Sequence, residues 1–503
     1  MVRGEQRKLS YIRLKERLMN HNNSFVFSVR SVASVASYSC VFFIFILTLL
    51  ILTETAFADI GIKCTPPPYA LNRADENYEY LREPACRTDF WDPIKDMPLN
   101  QSGSWYLSLG GEARERYEYF NEPNWGAGPP GSGYLLQRYF LNADLHMGEH
   151  VRLFNQLQSS FENFRVGGPR PTDKDELDVH QLFLDMKLHL SEDNTFLLRS
   201  GRQELFYGSQ RIISVREGPN VRQSFDGFRA MLRSGDIKVD AFAAKPVETK
   251  RYVFDDGTDN RRGVWGLYSV MPLSILPEGN IDLYYLGYHN RDANFDQGSA
   301  SETRHSVGTR LWRTAKPIDY NFEFIYQWGK FGSGDIQAWT VASDTGYTFD
   351  SLPLRPRLGL KADITSGDRN PNNPDLQSFN PLFPKGAYFS EDALIGPINH
   401  IDVNPSVTLH CTGSITLSVN WDFFWRESEQ DGLYNSGLSL VRSGNNSNAR
   451  YVGSQPQVQL EWDIDRHITF IAIYAHFIAG PFLQETGPSK DVNYVTTWLT
   501  YKF

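Results

Sequence analysis

Asn493-Tyr-Val-Thr-Thr-Trp-Leu-Thr-Tyr-Lys-Phe503 ends the chain with a period of two. Val495, Leu499, Tyr501 and Phe503 share one face, and Tyr494, Thr496, Trp498, Thr500 and Lys502 share the other. Side chains alternate across a strand, so this segment has one apolar side and one wetter side. An aromatic residue at the very end is how the closing strand of a bacterial outer-membrane barrel finishes, one face to lipid and one to the lumen. The expected fold is all-β, a transmembrane antiparallel β-barrel, and the expected location is the outer membrane.

The same grammar recurs upstream. In Tyr320-Asn-Phe-Glu-Phe-Ile-Tyr-Gln-Trp328, five aromatics lie on one face, with Asn321, Glu323, Ile325 and Gln327 on the other. One such strand fits a soluble sandwich equally well. Repetition favours the membrane: Trp421, Phe423 and Trp425 oppose Asp422 and Arg426, and Leu358, Leu360, Ala362 and Ile364 oppose Arg357, Lys361 and Asp363. Leu182, Leu184 and Met186 likewise oppose Asp185 and Lys187. So many charges on the second face call for a large, hydrated interior. Residues 102–503 are assigned to the barrel. At roughly 20 to 25 residues per strand with its turn or loop, they supply about 18 strands, within a range of 16 to 20.

Val41-Phe-Phe-Ile-Phe-Ile-Leu-Thr-Leu-Leu-Ile-Leu52 is an apolar run followed by Ala56-Phe57-Ala58. At about twelve residues it is too short to cross a bilayer as a helix and suits a signal-peptide core with an A-x-A cleavage site. Residues 1–58 are read as a signal peptide cut after Ala58, against the alternative of a retained anchor; either Met1 or Met19 could be the start. Removing that segment, with its seven basic and three acidic residues, takes the formal charge from −9 to −13. An acidic chain of this kind is a poor partner for nucleic acid. Residues 59–101, rich in Pro and charge and without periodicity, form an N-terminal periplasmic or plug extension. Cys64 and Cys86 bracket Thr65-Pro-Pro-Pro68 there. A disulfide between them suits an oxidising compartment, with two free thiols as the alternative.

No nucleophile elbow, zinc-protease motif, phosphate-binding loop or Cys-His spacing is present, so no catalytic residue, cofactor or metal site is assigned. Phe254-Asp-Asp-Gly-Thr-Asp259 could bind calcium, but is read as a solvated loop. The reading is a non-enzyme. An outer-membrane hydrolase would need Ser-His or Asp-His partners that meet only in space.

Three blocks resemble the alginate-export family of outer-membrane porins: Trp105-Tyr-Leu-Ser-Leu-Gly-Gly-Glu-Ala-Arg-Glu-Arg-Tyr117; Leu198-Arg-Ser-Gly-Arg-Gln-Glu-Leu-Phe-Tyr-Gly-Ser-Gln-Arg211 with Arg222-Gln-Ser-Phe-Asp-Gly-Phe-Arg229; and Lys361-Ala-Asp-Ile-Thr-Ser-Gly-Asp368 leading to Ser378-Phe-Asn-Pro-Leu-Phe-Pro384. The resemblance implies a monomeric barrel of about eighteen strands that exports an anionic uronate polysaccharide through an arginine-lined lumen. A general or anion-selective solute porin of the same fold is the alternative. Other implied partners are outer-membrane lipid, the barrel-assembly machinery and periplasmic export proteins. The extended N-terminal region with its cysteine pair departs from the family pattern.

Alternation selects the lumen candidates Arg114, Arg152, Arg199, Arg229, Arg310, Arg357, Lys361 and Arg426, together with Asp185, Glu323 and Asp363. Arg202 and Arg211 enter through the resemblance, because they lie near a strand end where parity is unreliable. A guanidinium offers a carboxylate a planar pair of N–H donors, and nearby acidic residues temper that attraction so that a polyanion can move on.

Overall fold

The computed structural model describes Cys64 and residues 66–503; the signal segment, its cleavage site and Cys40 lie outside the described residues. Among the described residues eighteen long strands follow one another. They are β1 (Trp105–Phe120), β2 (Ser132–Met147), β3 (Val151–Asn163), β4 (Asp175–His189), β5 (Asn194–Gln203) and β6 (Phe225–Ser234). Next come β7 (Ile237–Glu248), β8 (Arg262–Pro272), β9 (Asn280–Phe295), β10 (Gly298–Arg313), β11 (Ile318–Phe331) and β12 (Gly334–Thr348). The last six are β13 (Arg357–Thr365), β14 (His400–His410), β15 (Ile415–Trp425), β16 (Tyr451–Asp463), β17 (Ile468–Ala479) and β18 (Val492–Lys502). Each pairs antiparallel with its neighbours in sequence, and β1 pairs with both β2 and β18. The sheet therefore closes into a barrel, with Glu112 opposite Lys502 and Phe120 opposite Tyr494 along the seam.

The period-two pattern has the polarity that lipid requires. On β11, Phe322 and Phe324 are 45% and 46% exposed on the outer face, whereas Glu323 between them is 5% exposed. Leu358 and Leu360 on β13 are each 50% exposed, while Asp363 points inward at 3%. Arg116, Arg138 and Arg304 are among the most deeply buried side chains. Apolar side chains outside and charged ones inside invert the order of a soluble protein and match a barrel in a bilayer.

Short turns join the strands at the end that carries Phe503, and the long connections lie at the other; in outer-membrane barrels these are the periplasmic and extracellular ends. The seam is reinforced at the periplasmic end. Phe503 and Gly111 exchange a pair of backbone hydrogen bonds, both 3.0 Å. The Phe503 ring stacks on Trp91 of the extension at 4.3 Å. Arg73, also from the extension, donates to the carbonyls of Gly111 and Phe503, each at 2.7 Å. Gly111 has no room for a side chain here, because a Cβ would lie 2.6 Å from the Phe503 ring.

Deleting Phe503 is expected to lower the yield of folded barrel. It removes one closing hydrogen-bond pair and one of the two carbonyl acceptors of Arg73, and a charge-assisted hydrogen bond alone contributes ~1.5–3 kcal/mol. Heat-modifiable gel migration measures this, and a normal folded fraction would contradict the role given to the seam.

Candidate functional site

Two long connections turn into the barrel. Residues 204–224 leave the wall where β5 ends, and residues 366–399 leave it where β13 ends. The first is anchored at both ends. Glu204 is bonded to His180 and receives a hydrogen bond from Arg222, both at 2.8 Å. Asn220 donates to the carbonyls of Gln137, Phe161 and Asp173. Between these anchors the loop crosses the lumen, where Arg211 meets Glu323 of β11 at 3.0 Å and Asp363 of β13 at 2.6 Å. Ser209 and Tyr284 also donate to Glu323, and Tyr388 donates to Asp363 at 2.8 Å. The two loops join where Phe383 N–H donates to the Ile212 carbonyl at 2.9 Å and Lys385 N–H to that of Gln210 at 3.2 Å. Ile213, Leu376, Phe379 and Phe383 are fully buried at this junction. Close approach dictates glycine at position 386, where a Cβ would sit 2.8 Å from the Pro219 ring.

Two cavities meet at the inward loops. One, of about 820 Å³, opens toward the periplasmic end and is lined by Arg114, Arg116, Lys385 and Lys502, by the carboxylates of Glu217, Glu391, Glu461, Asp463 and Asp465, and by the extension. The other, of about 650 Å³, lies toward the extracellular end, with Arg116, Arg165, Arg170 and Arg216 in its lining. The two share Arg116, Gly218, Gly386, Ala387 and Glu391, which marks the constriction.

Arg116 is fully engaged there. It pairs with Glu118 at 2.7 Å and Glu391 at 3.0 Å, donates to Tyr494 Oη and the Gly218 carbonyl at 2.8 Å, and lies over the Trp498 ring at 4.7 Å. Arg114 donates to the carbonyls of Glu217 and Pro219 at 3.0 and 3.1 Å. Arg138 reaches Glu112 at 2.6 Å and also pairs with Glu217. By contrast, Lys385 and Arg216 have no carboxylate partner within ion-pair distance among the described residues. Enclosure lowers the Lys385 amine from its ordinary range, with Lys361 adding to the effect. Enclosure and the nearby Arg262 charge push the Arg216 guanidinium down to about 10. Arg216 stays cationic at neutral pH.

The other expected residues fall into groups. Arg211, Glu323, Asp363 and Lys361 meet across the lumen; the Lys361 amine donates to the Tyr388 carbonyl at 3.2 Å and lies over the Tyr388 and Phe389 rings. Arg152, Asp185 and Arg199 form a chain on the periplasmic half of the wall: Arg152 pairs with Asp144 at 2.6 Å, and Asp185 with Arg199 at 2.7 Å. Arg229 pairs with Asp240, Arg310 with Asp282 at 2.9 Å, and Arg357 with Asp319 at 2.5 Å.

Two placements are corrected. Arg202 is opposite Leu182, whose side chain is 43% exposed on the outer face, and it is held by Asp226 at 2.9 Å. Counted from the inward Arg199, alternation itself turns position 202 outward, and the register of β5 on β4 runs unbroken from 195 to 202; the family resemblance alone placed it in the lumen. Arg426 lies just beyond β15, buried among the carbonyls of Glu429, Asp431, Ser447 and Ala449, so it braces loop 426–450 rather than lining the bore. Sequence reasoning missed Arg116, although it shares the parity of Arg114, and it missed Lys385, one residue past the Phe-Asn-Pro-Leu-Phe-Pro block. Arg138, Arg165, Arg170 and Arg216 were also missed, the last three because they sit on loops without alternation.

The N-terminal extension occupies the periplasmic mouth. Cys64 and Cys86 are disulfide-bonded across it. Its turn at Arg73–Asp75 reaches the inner wall, where Ala74 packs on Phe154 and Phe183 and its carbonyl accepts from Arg152 at 2.6 Å. Arg222 of the first inward loop donates to the Leu71 carbonyl at 3.0 Å. The extension thus contacts both the wall and the loop that narrows the bore.

The alginate export family model matches residues 105–496. Among solved structures, the chain is similar to OpdO of Pseudomonas aeruginosa at TM-score 0.51 and 10% identity, covering 78% of this chain and 97% of that one. It is similar to a BenF-like porin of Pseudomonas fluorescens Pf-5 at TM-score 0.55 and 8% identity, covering 79% and 98%. It also resembles P. aeruginosa OccK2 (OpdF) in complex with glucuronate, at TM-score 0.52 and 10% identity, covering 79% and 98%. At such identities the likeness concerns the fold. No curated protein matches.

Replacing Arg211 by Met is expected to loosen the cross-lumen loop. Removing one partner of a buried ion pair costs ~3–5 kcal/mol, because Glu323 and Asp363 lose their shared counter-charge. Limited proteolysis of the folded barrel should show new cleavage within 204–224, and Arg211→Lys should restore part of the protection. Unchanged protection of the Met variant would remove Arg211 from the account.

Proposed function

Since the chain belongs to the alginate export family and is an outer-membrane channel with a porin fold, we propose that it exports an anionic uronate polysaccharide through its arginine-lined constriction. The observation that carries this reading is the meeting of the two cavities at Arg116, with an unpaired cation on either side, Lys385 toward the periplasm and Arg216 toward the exterior. A uronate polymer carries one carboxylate per sugar, so it can engage several cations at once. Passage requires that no single site hold it too firmly. Glu118 and Glu391 already neutralise much of the Arg116 field, while Lys385 and Arg216 keep theirs for the cargo. The path is then a sequence of weak sites rather than one tight one.

The carbonyls of Glu217, Gly218 and Pro219 hold Arg114 and Arg116 in place from the first inward loop. That arrangement supports a rigid aperture whose width is set by backbone, with charge supplied around it. Single-chain operation, assembly by the barrel-assembly machinery and delivery by periplasmic export proteins belong to the same reading.

Planar-bilayer recording tests it. The wild type should show an anion-selective reversal potential in a salt gradient and block by oligouronates, with little block by neutral oligosaccharides of equal length. Joint replacement of Lys385 and Arg216 by Gln should weaken oligouronate block by roughly tenfold, about 1.4 kcal/mol, while folded yield stays normal. Equal block by neutral and anionic oligomers would instead favour a general solute porin.

A further inference from the structure

Asp256, in the extracellular connection 249–261, comes together with Asp175 and Asp178 of β4, one carboxylate oxygen from each lying within 4.8 Å of the others. Asp175 and Asp178 are 1% and 4% exposed. Three carboxylates this close repel one another unless a cation lies among them. Among the described residues the one ion-pair partner in reach is Arg202, 3.7 Å from Asp178 and more closely committed to Asp226 at 2.9 Å.

A second observation points to a ligand. Gln158 of β3 is 1% exposed, its amide nitrogen lies 3.4 Å from Asp175 Oδ2, and its Oε1 is buried without a hydrogen-bond partner. Asp175 Oδ1 and Asp255 Oδ1 are likewise buried and unpartnered. Orphaned buried oxygens are costly; Asp175 belongs to the three-carboxylate cluster, and a half-turn of the Gln158 amide brings its Oε1 to the position that its nitrogen now holds beside Asp175. The donor set is all oxygen, carboxylates with a neutral amide, drawn from three chain segments without imidazole or thiolate. That composition suits a hard cation, and the irregular arrangement suits Ca²⁺ better than Mg²⁺, which demands near-octahedral geometry.

We propose that Asp175, Asp178, Asp256 and the Gln158 side-chain oxygen form a calcium site that fastens loop 249–261 to the rim of the barrel. The loop is already laid along the start of β4. Glu176 N–H donates to the Arg251 carbonyl at 3.0 Å, Phe254 N–H to that of Leu177 at 2.9 Å, and Asp256 N–H to Asp178 Oδ2 at 3.0 Å. It reaches β4 across β5 and β6, which stop at Gln203 and begin at Phe225 because the intervening chain turns into the lumen. A cation here joins the loop to β3 and β4 and secures the wall beside that opening. Enclosure pushes the Asp256 carboxyl up to about 6, with Asp178 and Asp255 adding their repulsion, and a bound cation would relieve both.

Calorimetric titration of the chelator-stripped, detergent-solubilised barrel with CaCl₂ alone should show one Ca²⁺ per chain. Asp256→Asn and Asp175→Asn should each weaken binding at least tenfold, about 1.4 kcal/mol, whereas Asp292→Asn, exposed on β9, should bind as the wild type does. Ca²⁺ should slow tryptic cleavage after the exposed Lys250 and Arg251 in the wild type and not in Asp256→Asn. Heat-modifiable migration establishes folding, and if Asp175→Asn does not fold, Asp256→Asn, altered only in a loop, decides. No saturable Ca²⁺ uptake by the folded wild type, undiminished uptake by Asp256→Asn, or equally tight Mg²⁺ binding would overturn the proposal.

Discussion

A backbone polar group left without a partner in the bilayer costs several kcal/mol, so a sheet that spans it cannot have an edge. The rest of the structure depends on that constraint. It is met where β18 returns to β1, and the chain concentrates unusual resources there: the exchanged hydrogen bonds of Phe503 and Gly111, the Arg73 guanidinium that binds both carbonyls, and Trp91 stacked on the final ring. The extension that enters the periplasmic mouth is therefore also a clasp on the seam. Closure and occupation of the mouth are mechanically one feature.

Once closed, the barrel must fill or hydrate a wide interior. It does so with charge in near-balanced pairs around the wall, from Glu112 with Arg138 to Arg357 with Asp319. Such pairs hold their arginines rigidly and leave little net field. The two inward loops change this locally. By crossing the bore they bring backbone carbonyls to Arg114 and Arg116, and they carry Lys385 and Arg216 into the remaining space without carboxylate partners. The loops thus add unpaired cations to those that Lys361 of β13 and Lys502 of β18 already present from the wall.

That division explains what the sequence could and could not reveal. The strand pattern was legible because lipid enforces it residue by residue: Phe322 and Phe324 outward and Glu323 inward follow from period two alone. Arg114, Arg152, Arg199, Arg229, Arg310 and Arg357 were placed inward by the same rule, and the side chains lie there. Arg202 obeys the rule and faces outward, since it has the opposite parity to Arg199 and entered only through the family resemblance, whereas Arg426 escaped the rule because its strand ends one residue earlier. Loop residues have no period to read. Nothing local in Arg216, or in the pairing of Asp256 with Asp175, signals where a long connection will fold. The Cys64–Cys86 spacing allowed a disulfide but could not indicate that the bridged segment would sit against Phe154 and Phe183.

The central claim is that current and cargo pass the aperture shared by the two cavities. Cysteine accessibility at Ala387, which lines both, tests it most directly. In a Cys411→Ser background, free of the exposed thiol, Ala387→Cys should react with a small anionic thiol reagent added from either side of a planar bilayer. Each reaction should produce a stepwise fall in conductance, and saturating oligouronate should slow it. Full modification of Ala387→Cys with conductance unchanged would contradict the account.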